Sequence, residues 1–144
     1  MNASRRTDVA LLLLRLAFGG LMAINHGWGK TTKWLVDGNF GFADPLGIGM
    51  KQSLILASGA ELVCAGLLAV GLFTRLSALP LLFTMAVAAG IVHGADPLAK
   101  KEMALLYGAA YAALFLLGPG RLSLQRFVQP RLPSSPAWLR FLLS

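Results

Sequence analysis

Four stretches of the chain are apolar almost throughout, and no stretch holds more than one formal charge. Val9 to Gly29 is interrupted by Arg15, and Gln52 to Thr74 by Glu61. Leu76 to Ala95 carries no formal charge but contains Pro80 and His93, and Met103 to Gly120 is uncharged. A helix crosses a hydrocarbon core of about 30 Å with roughly 20 residues, so each stretch is long enough or nearly so. A backbone in lipid must satisfy its own hydrogen bonds, which favours helices over an open sheet. The pattern predicts an all-α integral membrane protein. Its form is an antiparallel four-helix bundle in residues 1–125, with spans at about 9–29, 52–74, 76–95 and 103–120. Residues 126–144 read as a basic amphipathic tail, with Pro130, Pro133 and Pro136 beside Ser134 and Ser135, and Trp138, Leu139 and Phe141 around Arg140.

Arg5 and Arg6 give the first stretch a basic start. Arg15 then splits its apolar run and no small-x-small site follows, so the stretch is expected to remain a span rather than be cleaved as a leader. Loop charges set the direction. With the N-terminus inside, the inner side holds Arg5, Arg6, Arg75, Arg121, Arg126, Arg131 and Arg140. The outer side holds Lys30, Lys33, Lys51, Lys100 and Lys101. That bias favours both termini in the cytoplasm of a cell whose inner (plasma) membrane the protein spans. The connection at Thr74–Arg75 is nearly absent and predicts a tight antiparallel pair. Lys30 to Lys51 is the long connection, and its Trp34, Phe40 and Phe42 suit the interface. It is read as an interfacial loop, or more sharply as a lid over a site at the outer leaflet.

Composition sharpens this picture. Apolar residues make up 56% of the 144 positions and charged residues 13%, about half the share of a soluble domain. The net charge of +7 is therefore read as topology and not as nucleic-acid binding. Cys64 is the only cysteine, which excludes an internal disulfide, a CxxC pair and an iron–sulfur site made by this chain alone. It reads as a packing residue. Gly19, Gly20, Ala57 to Ala60, Ala65, Gly66 and Ala86 to Gly90 permit close helix packing.

Polar residues inside or beside the spans carry the chemistry. A charge near the bilayer centre costs about 2.5–3.5 kcal/mol on insertion scales, so it faces the bundle and finds a partner. Arg15 lies 13 residues before Trp28, about 20 Å down its helix, and Glu61 lies 9 residues after Gln52, about 13 Å down. The small gap predicts a buried Arg15–Glu61 ion pair. Arg15 and His26 are 11 residues apart, close to three whole turns, and so are expected on one face. His26, His93 and Glu102 close or open spans at one level, with Tyr107 about 7–8 Å deeper. Imidazole and carboxyl groups can hydrogen-bond a quinone carbonyl and exchange protons with it. The expected catalytic set is His26, His93, Glu102, Glu61 and Arg15, and the expected cofactor-binding set is His26, Lys30, His93 and Tyr107, with no metal. Haem ligated by His26 and His93 is the lesser alternative. A proton or ion pathway needs a continuous polar track, which spans three and four lack below Glu61 and Arg15.

Leu14-Arg15-Leu16-Ala17 with His26-Gly27 and Lys30 resembles the opening helix of the DoxX family of small membrane proteins, and Phe42-Ala43-Asp44-Pro45-Leu46-Gly47 resembles its first loop. Ala60-Glu61-Leu62 through Gly71-Leu72-Phe73-Thr74-Arg75 resembles the second helix and its exit. Met85, His93 and Glu102 through Tyr107 resemble helices three and four, and Gly118-Pro119-Gly120-Arg121-Leu122-Ser123-Leu124 the closing motif. The resemblance runs from about Leu12 to Gln125, and Gln125 stands where the family often has Asp. It implies a four-helix membrane bundle and a link to thiosulfate:quinone or thiol redox systems. The polar positions that match are Arg15, His26, Lys30, Glu61, Arg75, His93 and Glu102. The leading expectation is a membrane subunit of a quinone-linked oxidoreductase system, with a polar site near the outer face. The alternative is a non-catalytic accessory subunit of a larger membrane complex. Lipid, other membrane or redox subunits and a second copy of the chain are the expected partners.

Overall fold

In a computed structural model, residues 3–128 and 136–143 are described, and they hold helices and no strand. Four helices are long: α1 (Ser4–Leu35), α2 (Met50–Val70), α3 (Thr74–Val92) and α4 (Leu98–Leu117). Two short ones follow, α5 (Gln125–Val128) and α6 (Ala137–Leu142). The long helices pack in a ring, α1 on α2, α2 on α3, α3 on α4 and α4 back on α1. Leu11, Met22, Leu68, Leu81, Tyr111 and Leu114 fill the centre. Cys64 is half-buried against this core. Large apolar side chains such as Leu13, Ile24, Leu56, Phe83 and Leu116 point outward, as lipid-facing helices require.

By length and composition α1, α2 and α3 can each cross a membrane. Helix α4 is 20 residues long, but Lys100, Lys101 and Glu102 lie in its opening turns. The helices start before the hydropathy windows, and α1 also ends after its own, whereas α2, α3 and α4 stop at Val70, Val92 and Leu117, short of the expected 74, 95 and 120. α1 continues to Leu35 through Lys30 and Lys33, and α4 begins at Leu98, directly after Pro97. Polar residues end an apolar window without ending a helix.

The α2–α3 turn is tight, as expected, but it lies at residues 71–73, and Thr74 and Arg75, read as the connection, open α3 because Gly71 ends α2 early. Gly71 sits at φ +71 and ends α2, with its N–H bonded to Leu68 and that of Leu72 to Leu67. This is a Schellman ending, which needs a residue tolerant of left-handed backbone. Phe73 follows, also left-handed at φ 50. Its N–H donates to Gln125 Oε1 at 2.9 Å. Gln125 is 1% exposed and its Nε2 donates to Leu143 O, so one side chain joins the turn to the end of α6. It is not the incidental tail position its place after the closing motif implies. Arg75 adds a second tie. Its Nε donates to Phe115 O at the C-terminal end of α4, where carbonyls lack helical partners, and its guanidinium lies 4.2 Å from the Phe141 ring. The expectations for Pro130, Arg131, Pro133, Ser134 and Ser135 lie outside the described residues.

Four segments wind with wide π-helical turns: Arg15–Gly20, Ala23–Gly27, Gly59–Cys64 and Ala88–Val92. Arg15, His26 and Glu61 lie within such segments, and His93 caps the fourth. Insertions of this kind cluster at functional sites because they re-aim side chains.

Candidate functional site: a polar cavity at one end of the bundle

The buried polar residues separate into two groups at opposite ends. Arg15 has no exposed surface, and its Nη2 donates to Leu122 O in the segment after α4. Glu61 is 5% exposed and accepts from Lys30 Nζ. The expected Arg15–Glu61 pair does not form. Helical side chains tilt toward the N-terminus of their helix. Arg15 and Lys30 on α1 therefore both lean toward residue 4, and Glu61 on the antiparallel α2 leans toward residue 50. Lys30 and Glu61 lean toward each other, while Arg15 leans away from Glu61. The two π-helical segments between Arg15 and His26 also undo the three-turn spacing that would put them on one face.

A cavity of about 410 Å³ opens at the Lys30 end. His26 and Lys30 reach it from α1, Glu61 from α2, His93 from the end of α3 and Tyr107 from α4. Met22, Ala57, Met85, Ala88 and Met103 form its apolar wall. Five of the seven expected site residues thus meet in one place. Arg15 and Glu102 do not. Arg15 serves the other end, and Glu102 is exposed and outside the cavity wall. Lys100, two positions earlier on α4, lines the cavity instead.

Local contacts orient the polar groups. The His93 and Asp96 side chains are 2.8 Å apart through Nδ1 and Oδ2, and Asp96 also faces Lys100 at 3.7 Å. A carboxylate on one ring nitrogen fixes the imidazole tautomer and leaves Nε2 free for another partner. Tyr107 stands edge-on to both His26, at 6.2 Å between centroids, and Phe18, at 5.2 Å. Tyr111 lies behind Tyr107, fully buried, with its hydroxyl 3.1 Å from Phe18 O. Among the described residues no three His, Cys, Asp or Glu side chains gather as a metal-binding group.

The loop between α1 and α2, the expected lid, borders the cavity. Phe42, Ala43 and Pro45 form part of the wall. Asp44 holds the loop shut on α2. Its Oδ1 accepts from Ser53 Oγ at 2.8 Å and from Ile48 N at 3.0 Å, and its Oδ2 from Gly49 N at 2.8 Å. Ser53 hydrogen bonding, ahead of the Gly49, Ile48 and Gly47 N–H groups, draws the Asp44 carboxyl below its ordinary value of 3.8. A carboxyl whose value is depressed on folding supports the fold above its unfolded value and loses that support as pH falls through the folded one. The protection of amides in residues 36–49, taken relative to their intrinsic exchange rate at each pH, should therefore hold above about pH 4 and fall below it. Asp44→Ala should show the lowered protection already at pH 7. Equal protection in the wild type and the variant at pH 7 would remove the clamp.

Comparison identifies the part of the chain that carries His26, Lys30, Glu61, His93 and the loop, but not Asp96, Lys100 or Tyr107. The DoxX family model matches residues 10–94, which carry α1 to α3 through the lid and His93. No curated protein and no solved structure matches the chain. The matched stretch exceeds half of the 144 residues, and the chain belongs to the DoxX family.

Proposed function

We propose that this DoxX protein is a four-span subunit of a quinone-linked redox system of the inner (plasma) membrane, and that the cavity binds the quinone head. One observation supports this most: five proton-active or hydrogen-bonding side chains from all four long helices line a single cavity of about 410 Å³. That volume falls within the range of small-molecule sites, and apolar walls with few polar groups are their usual composition. The residues fit the group. His26, Tyr107 and the free face of His93 offer donors or acceptors to carbonyl oxygens, and Lys30 supplies a cation beside Glu61. A quinone held here would supply two-electron, two-proton chemistry.

The chain's own part is binding and proton handling. Lys30 holds the Glu61 carboxylate in place at the cavity wall, where its oxygens are acceptors. Asp96 orients His93. The lid keeps water from the apolar wall. Both termini lie in the cytoplasm and the cavity faces the outer side, an orientation supported by the Arg-rich ends around Arg75 and Arg121. Electrons beyond the cavity need a partner subunit.

The test is quinone binding by the protein purified in mild detergent, with bound quinone, metal and the absorption spectrum measured on one sample. Quinone should co-purify, and His26→Ala should weaken its binding about tenfold while the protein elutes unchanged, as loss of one hydrogen bond implies. A stoichiometric haem band would transfer His26 and His93 to ligand roles. Partner proteins at fixed ratio with no bound small molecule would favour the accessory-subunit reading.

A further inference from the structure

A second hollow, of about 240 Å³, lies between α2, α3 and the lid. It shares Ala57 and Thr84 with the polar cavity, so the two spaces adjoin across one small and one short side chain. Beyond that junction its wall is apolar: Leu46 and Ile48 from the lid, Leu56 from α2, and Phe83 and Val87 from α3. It contains two hydroxyls, and both are already engaged elsewhere. Thr84 Oγ1 donates to Pro80 O at 2.8 Å, and Ser53 Oγ donates to Asp44 at 2.8 Å. Both hydroxyl protons are thus spoken for and the hollow offers no free donor, which suits a hydrocarbon chain better than a polar ligand.

We infer that the second hollow holds the apolar tail of the molecule whose head sits in the polar cavity, so that the ligand is an amphipathic quinone entering between α2 and α3. This inference rests on the function proposed above. Its occupant is the ligand's own tail and not a bilayer acyl chain, because the hollow adjoins the cavity at Ala57 and Thr84. A free acyl chain gains little there, since lipid is as apolar as the hollow. A tail tethered to a bound head has no such choice of place. Its path is fixed by where the cavity opens.

Two quinones with the same ring separate these ideas, one bearing a decyl chain and one with a methyl in its place. Val87→Trp narrows the hollow without touching the polar cavity. It should weaken decyl-quinone binding about tenfold, the scale of overpacking a formed site, and leave the methyl compound unchanged within about twofold. Leu116→Trp, on an exposed face of α4 outside both spaces, should change neither. A decyl-quinone carrying a photoreactive group at the chain end should label peptides holding Ile48, Leu56 or Phe83. Unchanged decyl-quinone binding in Val87→Trp, or label confined to α1 or α4, would overturn the tail assignment and leave the head site standing. Binding of neither compound by the wild type would instead refute the quinone reading itself.

Discussion

Lys30→Met is expected to lower the melting temperature in detergent by about 10 °C. The reason is what it leaves behind. Glu61 is 5% exposed, and Lys30 is the cation bonded to it. Removing one partner of a buried pair strands the other charge, at a cost of about 3–5 kcal/mol. The variant also leaves the carboxylate facing an apolar-walled cavity. Adding Glu61→Gln should return most of the lost stability, because the double variant has no unpaired charge there. The same logic separates this pair from the one the sequence suggested. Arg15→Gln and Glu61→Gln should combine additively, since Arg15 donates to Leu122 O at the other end of the bundle. Rescue of Glu61→Gln by Arg15→Gln, with none between Lys30 and Glu61, would reverse the assignment.

The contrast marks what sequence reasoning could reach. The four helices were legible because a lipid-facing helix must be apolar over a length that few other structures need. The end of the molecule that carries the candidate site was legible too, since His26 and His93 fall at one level, with Tyr107 about 7–8 Å deeper, when helices alternate. Partner choice within that end was not read, although the signal was present: side chains lean toward helix N-termini, which turns Lys30 toward Glu61 and Arg15 away. The π-helical segments gave no such signal. No residue type demands them, and they shift every face relation that assumes 3.6 residues per turn. Glu102 was placed by level alone, but it is exposed and off the cavity wall, which the largely exposed Lys100 lines instead. Gln125 shows a different limit. One polar residue after a turn has no periodicity to read, and its role comes from contacts with Phe73 and Leu143 that only the folded chain creates.

Gly27 carries the second large expectation. A Cβ built there would lie 2.5 Å from the carbonyl carbon and oxygen of Glu61 and from Leu62 N. All three are backbone atoms of α2, which cannot rotate aside as a side chain can. Gly27→Ala must push α1 and α2 apart at the level of the Lys30–Glu61 contact. Overpacking costs about 1–3 kcal/mol, and here it also stretches an ion pair and reshapes the cavity. The melting temperature should fall by several degrees and quinone binding should weaken with it. Gly20 supplies the control. A Cβ there meets nothing within 4 Å, so Gly20→Ala should be neutral or slightly stabilising through better helix propensity. Gly19, next to it, would meet Ala65 O at 2.8 Å and should behave like Gly27 but without the loss of binding, because it lies away from the cavity wall. The three substitutions are chemically identical. A common response in all of them would mean that glycine acts through helix propensity alone. A loss at Gly19 and Gly27 with none at Gly20 locates the close α1–α2 seam, and a binding defect confined to Gly27 ties the cavity to that seam.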